Sequence, residues 1–149
     1  MKVMVIVKAS KASEAGEMPP IEMFAAMDKF NEELINAGIM LDGTGLKPSS
    51  CGARVRFSGS NRTVTDGPFP ETKEVIAGFM IWKVSSLQEA IDWVKKFPNL
   101  STEDSDVEIR PLMELEDFAG VVTPERLEEV RELEARSGDR DGYGLARFK

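Results

Sequence analysis

The 149-residue sequence has no histidine and only one cysteine, Cys51. The lack of histidine excludes, within this chain, a histidine general base, a histidine metal ligand and any Ser-His or Cys-His catalytic pair. A single cysteine excludes an intrachain disulfide and a cysteine-cluster metal site. The carboxylates of Glu71 and Glu74 indicate an oxygen-ligand Mg²⁺ site only weakly, so we predict no metal and no cofactor.

Long hydrophobic runs are also missing. After Met1 and Lys2, only the five apolar residues 3–7 precede Lys8. A secretory signal needs an apolar stretch of ~7–15 residues followed by a cleavage site, and a membrane span needs ~18. The run therefore predicts a short buried strand, and we expect a cytoplasmic protein with no membrane association.

An excess of positive charge is lacking as well, since 26 acidic residues outnumber 19 Lys and Arg. Residues 1–102 hold 12 acidic and 12 basic residues, whereas residues 103–141 hold 14 acidic and 5 basic ones. The net charge of −7 thus belongs to the C-terminal part, which we interpret as a solvated surface. Because no basic patch is visible, we expect no nucleic-acid binding.

Hydrophobic periodicity predicts a mixed α and β fold. Two nearly continuous apolar runs, residues 3–7 and 76–84, are typical of central strands that are covered on both faces. The Ser/Ala/Gly/Pro-rich stretch before Pro20 is interpreted as a loop. The other predicted elements are a helix from Pro20 to Gly38, a strand at 39–46, a hairpin at 54–57 and 62–65, a helix after a capping box of Ser86 and Glu89, and an edge strand at 107–113 that contains Pro111.

The order of these elements is β-α-β, a hairpin, and β-α-β again. It predicts an α+β fold of the ferredoxin-like type, a split βαβ unit with an inserted hairpin. Two helices cover only one face of such a sheet, so the second face must be covered by another subunit or by the C-terminal segment. A homodimer with facing sheets is favoured, because two-fold self-association is the commonest closure.

The chain divides into an α/β domain, residues 1–118, and a C-terminal helical extension with a tail, residues 119–149. Thr123 is the predicted N-cap of the extension helix, and Gly138 is its predicted end. Two interpretations of the tail stay open: it is disordered, or it is an arm that grips a neighbouring subunit.

The most distinctive motif is Asp66-Gly67-Pro68-Phe69. Asp-Gly and Gly-Pro are turn dipeptides, so Asp66 can accept a backbone N–H and Gly67 allows a positive φ before the rigid Pro68. Phe69 would then pack beneath the turn. A purely structural turn is the simplest interpretation of this motif.

This motif and its surroundings resemble the DGPF-type branch of the YCII-related proteins. The similarity covers about residues 1–116. It implies a ferredoxin-like fold that pairs into a dimeric α/β barrel, a bacterial origin, and genes that often neighbour those of extracytoplasmic-function sigma factors. Some relatives carry a His–Asp pair proposed as catalytic, which this chain cannot have. The matching segments are Asp66-Gly67-Pro68-Phe69, Glu71-Thr72-Lys73-Glu74, Gly78-Phe79, and residues 1–7, 43–48 and 107–111.

Acid–base chemistry without histidine falls to Asp, Glu, Lys or Tyr. Asp66 and Glu74 are the candidate general bases. The candidate ligand-binding residues are Glu71, Lys73, Arg110 and Lys8. Simpler interpretations exist, since Lys73 can pair with a neighbouring glutamate and Arg110 with Glu108, Glu114 or a partner subunit.

Two function classes remain. The favoured one is a dimeric domain that binds a small molecule or has a regulatory role, with an extracytoplasmic-function sigma factor as a candidate partner. The alternative is a cofactor-free enzyme that acts on a small organic molecule through carboxylate acid–base chemistry.

Overall fold

A computed structural model of the protein describes residues 1–70, 74–99, 104–118 and 120–136. The described chain forms two sheets and four α-helices, joined in part by 3-10 turns. The elements are β1 (Lys2–Lys8), α1 (Lys11–Glu14), α2 (Ile21–Asn36), β2 (Met40–Gly45), β3 (Ala53–Ser58), β4 (Asn61–Asp66), β5 (Ile76–Lys83), α3 (Leu87–Val94), β6 (Val107–Pro111) and α4 (Pro124–Arg136).

The main sheet has four antiparallel strands in the order β2-β5-β1-β6. Both apolar runs are central strands, with Val3 opposite Trp82 and Val5 opposite Met80. β6 lies at an edge, as expected for a strand that contains Pro111, because proline has no N–H to donate to a ladder. This strand order confirms the predicted α+β, ferredoxin-like plan.

The core lies between this sheet and helices α2 and α3. Val3, Val5 and Trp82 have no exposed surface, and the helices contribute Phe30 and Leu34 from α2 to the same cluster. The Phe30 ring lies 6.2 Å from the Trp82 ring between centroids. Each such side chain stabilises the fold by ~1.5–3 kcal/mol when it is fully buried.

Alternate residues of the same strands point away from this core and form the second sheet face, which consists of Met4, Ile6, Phe79 and Ile81. In register, Met4 lies opposite Ile81 and Ile6 lies opposite Phe79. The neighbours of Met4 and Ile6 on β6 are the charged residues Arg110 and Glu108. This face is therefore apolar at its centre and charged along one edge.

The helix ends follow local capping rules. α2 begins after Pro20, and Gly38 follows its end with a φ of +70°. Ser86 caps α3 by accepting the Glu89 N–H at 3.1 Å, as predicted. The predicted capping box is wrong in its second half. The Glu89 carboxylate accepts the N–H and hydroxyl of Ser85, at 2.6 Å each, and these hydrogen bonds lower the pKa of Glu89.

The short helix α1 lies within the stretch that was predicted to be a loop. Ser10 and Ser13 form a reciprocal cap, because each side chain accepts the other residue's N–H, at 3.1 Å and 2.9 Å. The serine content that argued for a loop instead satisfies the free N–H groups of this single turn.

The predicted extension helix is present as α4. Its N-cap Thr123 accepts the Arg126 N–H at 3.3 Å. Gly138 and the tail lie outside the described residues, and the division of the chain at residue 118 stays a prediction. No helix in the part of the chain that the structure describes is long and apolar enough to cross a membrane.

Candidate functional site

The turn formed by Gly67 packs directly against the 3-10 turn Ser49–Cys51. The Gly67 N–H donates to the Gly52 carbonyl at 2.9 Å. A Cβ atom on Gly67 would lie 1.8 Å from the Ser49 carbonyl oxygen, so any larger residue would force the two backbone segments apart. Gly67 is not at a positive φ, so the predicted reason for this glycine was wrong. It is required for close approach of two backbone segments.

Ser49 links this turn to α1. It is only 7% exposed, and its hydroxyl accepts the Phe69 N–H at 3.0 Å and donates to the Glu14 carboxylate. Glu14 also accepts the Ser49 N–H at 3.0 Å. Glu14 and Ser49 cannot be recognised as partners from the sequence, because they are separated by 35 residues and belong to no shared motif.

The ring of Phe69 is in turn covered by an arginine from the hairpin. The Arg54 guanidinium carbon lies 3.8 Å from the ring centroid, a cation–π contact. Arg54 lies on β3, directly opposite Thr65 of β4. Phe69 is half-buried, and it forms one wall of a pocket.

This pocket has a volume of about 260 Å³ and lies between the motif, the hairpin and the start of β5. Its apolar lining comes from Leu46, Phe69, Val75 and Ile76. Its charged and polar lining comes from Lys47, Ser49, Arg54 and Glu74. An apolar cavity with a few polar groups is the usual form of a small-molecule site.

The predicted candidates are not all brought together here. Glu74 lines the pocket, whereas Asp66 is exposed at the end of β4 and is not among the described lining residues. Glu71 and Lys73 lie outside the described residues. The predicted catalytic role of Asp66 therefore has no geometric link to the pocket, and that of Glu74 has one.

Lys8 and Arg110 meet at Glu108 instead. The Lys8 ammonium lies 2.7 Å from one Glu108 oxygen, and the Arg110 guanidinium lies 3.8 Å from the other. The hydrogen bond from Lys8 lowers the pKa of Glu108. The same hydrogen bond is the largest cause of the raised pKa of Lys8, to which the charges of Glu74 and Asp106 also contribute.

The described residues also bear on metal binding. Nowhere among them do three or more Cys, Asp or Glu side chains converge in a way that could hold a metal ion. The polar groups at the pocket are two cations, a carboxylate and a hydroxyl, a set suited to hydrogen bonding and charge pairing with an organic molecule.

Comparison with known proteins agrees with the fold. The chain matches the YCII-related domain over residues 1–116. It is 36% identical over 78 residues to an uncharacterised protein of Rhizobium meliloti (strain 1021). That similarity spans 52% of this chain and 63% of the relative. The chain therefore matches less than two thirds of the relative's length. The DGPF-type branch stays a prediction, but the chain belongs to the family of proteins with a YCII-related domain.

Proposed function

We propose that this protein is a small-molecule-binding domain whose ligand occupies the pocket between the Phe69 motif and β5. The pocket is the observation that supports this proposal, because apolar residues and a few charged groups together line one volume of about 260 Å³. The hydrogen bonds from the Phe69 N–H to the Ser49 hydroxyl and from that hydroxyl to Glu14 hold one wall in place before a ligand arrives. Such preorganisation reduces the entropy lost on binding.

The proposed binding domain acts as a homodimer. Its support is the second sheet face, where Met4, Ile6 and Phe79 are only half-buried although they are apolar and adjacent. A second copy related by a two-fold axis would cover this face with the same residues. A cytoplasmic location and a link to an extracytoplasmic-function sigma factor stay predictions.

The test is to fill the pocket by mutation. Leu46→Trp places a bulky ring on a lining residue that is 44% exposed, so the fold should tolerate it. Leu87→Trp makes the same change on α3, at a residue that is 40% exposed and is not among those lining the pocket. A library of small organic molecules is screened by amide NMR shifts of the protein.

We expect hits whose shifts centre on Phe69, Val75 and Ile76. These shifts should disappear in Leu46→Trp and persist in Leu87→Trp. A screen without hits at these residues, or hits that survive the filled pocket, would refute the binding site.

A cofactor-free enzyme is the second candidate, and it depends on one observation: the Glu74 carboxylate lines the pocket. A carboxylate beside a bound molecule can act as a general base. The assay follows deuterium incorporation at acidic C–H positions of the NMR-detected ligands in D₂O. A catalytic Glu74 requires exchange faster than in buffer, and Glu74→Gln must abolish that exchange while the ligand still binds.

A further inference from the structure

The described arginines differ in whether they have a negatively charged partner. Arg110, Arg126 and Arg131 each lie within 4.0 Å of a glutamate oxygen. Arg62 donates to the carbonyls of Gly59 and Asn61. Within the described parts of the chain, neither Arg54 nor Arg56 forms an ion pair. Of these two, Arg54 lines the pocket.

The guanidinium of Arg54 is held in a defined orientation. Its face lies against the Phe69 ring at 3.8 Å, and Phe69 is itself fixed by the hydrogen bond from its N–H to the buried Ser49 hydroxyl. A stacked guanidinium keeps its N–H donors free, because they lie in the plane of the group and not on its face. Two parallel donors of this kind match the two oxygens of a carboxylate.

The charge around the pocket also favours an anion. Lys47 and Arg54 line it as cations, and Glu74 is the lining carboxylate. The negative charge of Glu74 also contributes to the raised pKa of Lys8. The described lining thus carries two positive charges and one negative charge, a net charge of +1.

The apolar residues that line the pocket determine the size and polarity of the rest of the ligand. Leu46, Val75 and Ile76 are apolar, and they give the pocket a non-polar wall for the body of a ligand. A volume of about 260 Å³ is slightly below the ordinary range of ~300–1,000 Å³ for ligand pockets, so the body is one ring or a short chain.

We infer that the pocket takes a small organic carboxylate, with the carboxylate paired to the in-plane N–H groups of Arg54 and the apolar body against Val75 and Ile76. This inference rests on the proposed small-molecule site and names its ligand class. Arg54 is then the residue that selects for the carboxylate, and Phe69 of the motif is the residue that positions Arg54.

The experiment compares acids with neutral molecules of the same shape. Benzoate and hexanoate are titrated into the full chain beside benzamide and hexanamide, and affinities are taken from amide shifts of Val75 and Ile76. Each acid should bind about tenfold more tightly than its amide, the usual effect of a charge-assisted pair. This comparison needs no variant.

Two matched substitutions assign the preference to one side chain. Arg54→Gln and Arg56→Gln remove the same charge from the same face of the same hairpin strand, since residues two apart in a strand share a face. Arg54→Gln should reduce the preference for acids to about twofold or less, whereas Arg56→Gln should keep it. Arg54→Lys keeps the charge but loses the planar pair of donors, so it should retain only part of the preference.

The outcomes separate the two proposals. Binding of acids and amides with equal affinity, or a preference that survives Arg54→Gln, would overturn the carboxylate assignment and leave the pocket as a binding site. Saturable binding of the amides with no binding of the acids would overturn it too. Binding of neither class, together with a library screen that has no hits, would overturn the small-molecule site itself.

Discussion

The close approach of Gly67 to Ser49 predicts a large effect for the smallest possible substitution, Gly67→Ala. The added Cβ would lie 1.8 Å from the Ser49 carbonyl oxygen and 2.6 Å from its carbonyl carbon. The two backbones must therefore separate by about 1.2 Å before the contact reaches 3.0 Å. Both atoms that the added Cβ would contact belong to the backbone of Ser49, so the clash cannot be relieved by the movement of a flexible side chain.

The separation would weaken the hydrogen bonds from Gly67 N–H to Gly52, at 2.9 Å, and from Phe69 N–H to Ser49, at 3.0 Å. Each such bond contributes ~1 kcal/mol net, and overpacking costs ~1–3 kcal/mol. We expect the free energy of unfolding to fall by about 3 kcal/mol, with a Tm about 10 °C lower for a domain of this size.

The matched control is Gly52→Ala, in the adjoining turn. Gly52 has a φ of −118°, which any residue adopts, and a Cβ there would meet the Ser49 oxygen at an ordinary 3.5 Å. This variant should be as stable as the parent protein. Urea unfolding is followed by the fluorescence of the buried Trp82.

A local opening of the turn would give a smaller change in the unfolding midpoint. Hydrogen exchange of the Phe69 amide covers that case, because this N–H loses its acceptor when the turn moves away from Ser49. The reasoning is refuted if Gly67→Ala matches Gly52→Ala in unfolding and the Phe69 amide stays equally protected in both.

Two further changes test the ion pair and the dimer. Because the Lys8 hydrogen bond lowers the pKa of Glu108, ionised Glu108 stabilises the fold above the ordinary pKa of 4.5, and this stability is lost as the pH falls through the lowered pKa. Urea midpoints of Glu108→Gln should therefore fall less steeply with acid than those of the parent, and identical slopes would contradict this. Phe79→Lys puts a charge on the second sheet face, so it should halve the particle mass measured by light scattering. Ile35→Lys, on the exposed side of α2, should leave the particle mass unchanged. A parent protein that is monomeric would contradict the dimer.

The parts of the fold that were predicted correctly depend on local patterns. The run at residues 3–7 became the central strand β1, and the run at 76–84 became β5, because a strand without alternation has to be covered on both faces. Pro111 lies on an edge strand because of its missing N–H. These are properties of single residues and short periods, and they can be read without knowing which segments meet.

Capping was predicted less well. The Ser86 side chain accepts the expected N–H, but Glu89 reaches Ser85 one residue earlier, since a flexible carboxylate has more than one N–H within reach. The helix α1 was missed because a single turn has too few residues for an apolar period.

The candidate site could not be predicted from local sequence patterns, and the reason is a different one. The motif around Gly67 stands out in the sequence, yet the role of its glycine depends on Ser49, which is 18 positions away in the chain. Arg54 was not a candidate at all, because an alternating Arg-Val-Arg-Phe strand looks like an ordinary hairpin. It reaches the Phe69 ring only when the hairpin folds back on the motif.

Composition and periodicity were thus enough for the ferredoxin-like plan and for excluding histidine chemistry and an intrachain disulfide, and the motif segments were enough for the family resemblance. The tertiary structure decided that Glu74 lines the pocket, that Lys8 and Arg110 share Glu108, and that Arg54 lies over Phe69. The physical reason is the range of the interactions. Propensity and burial patterns act over a few residues, whereas a pocket is made by segments that become neighbours only after the chain has folded.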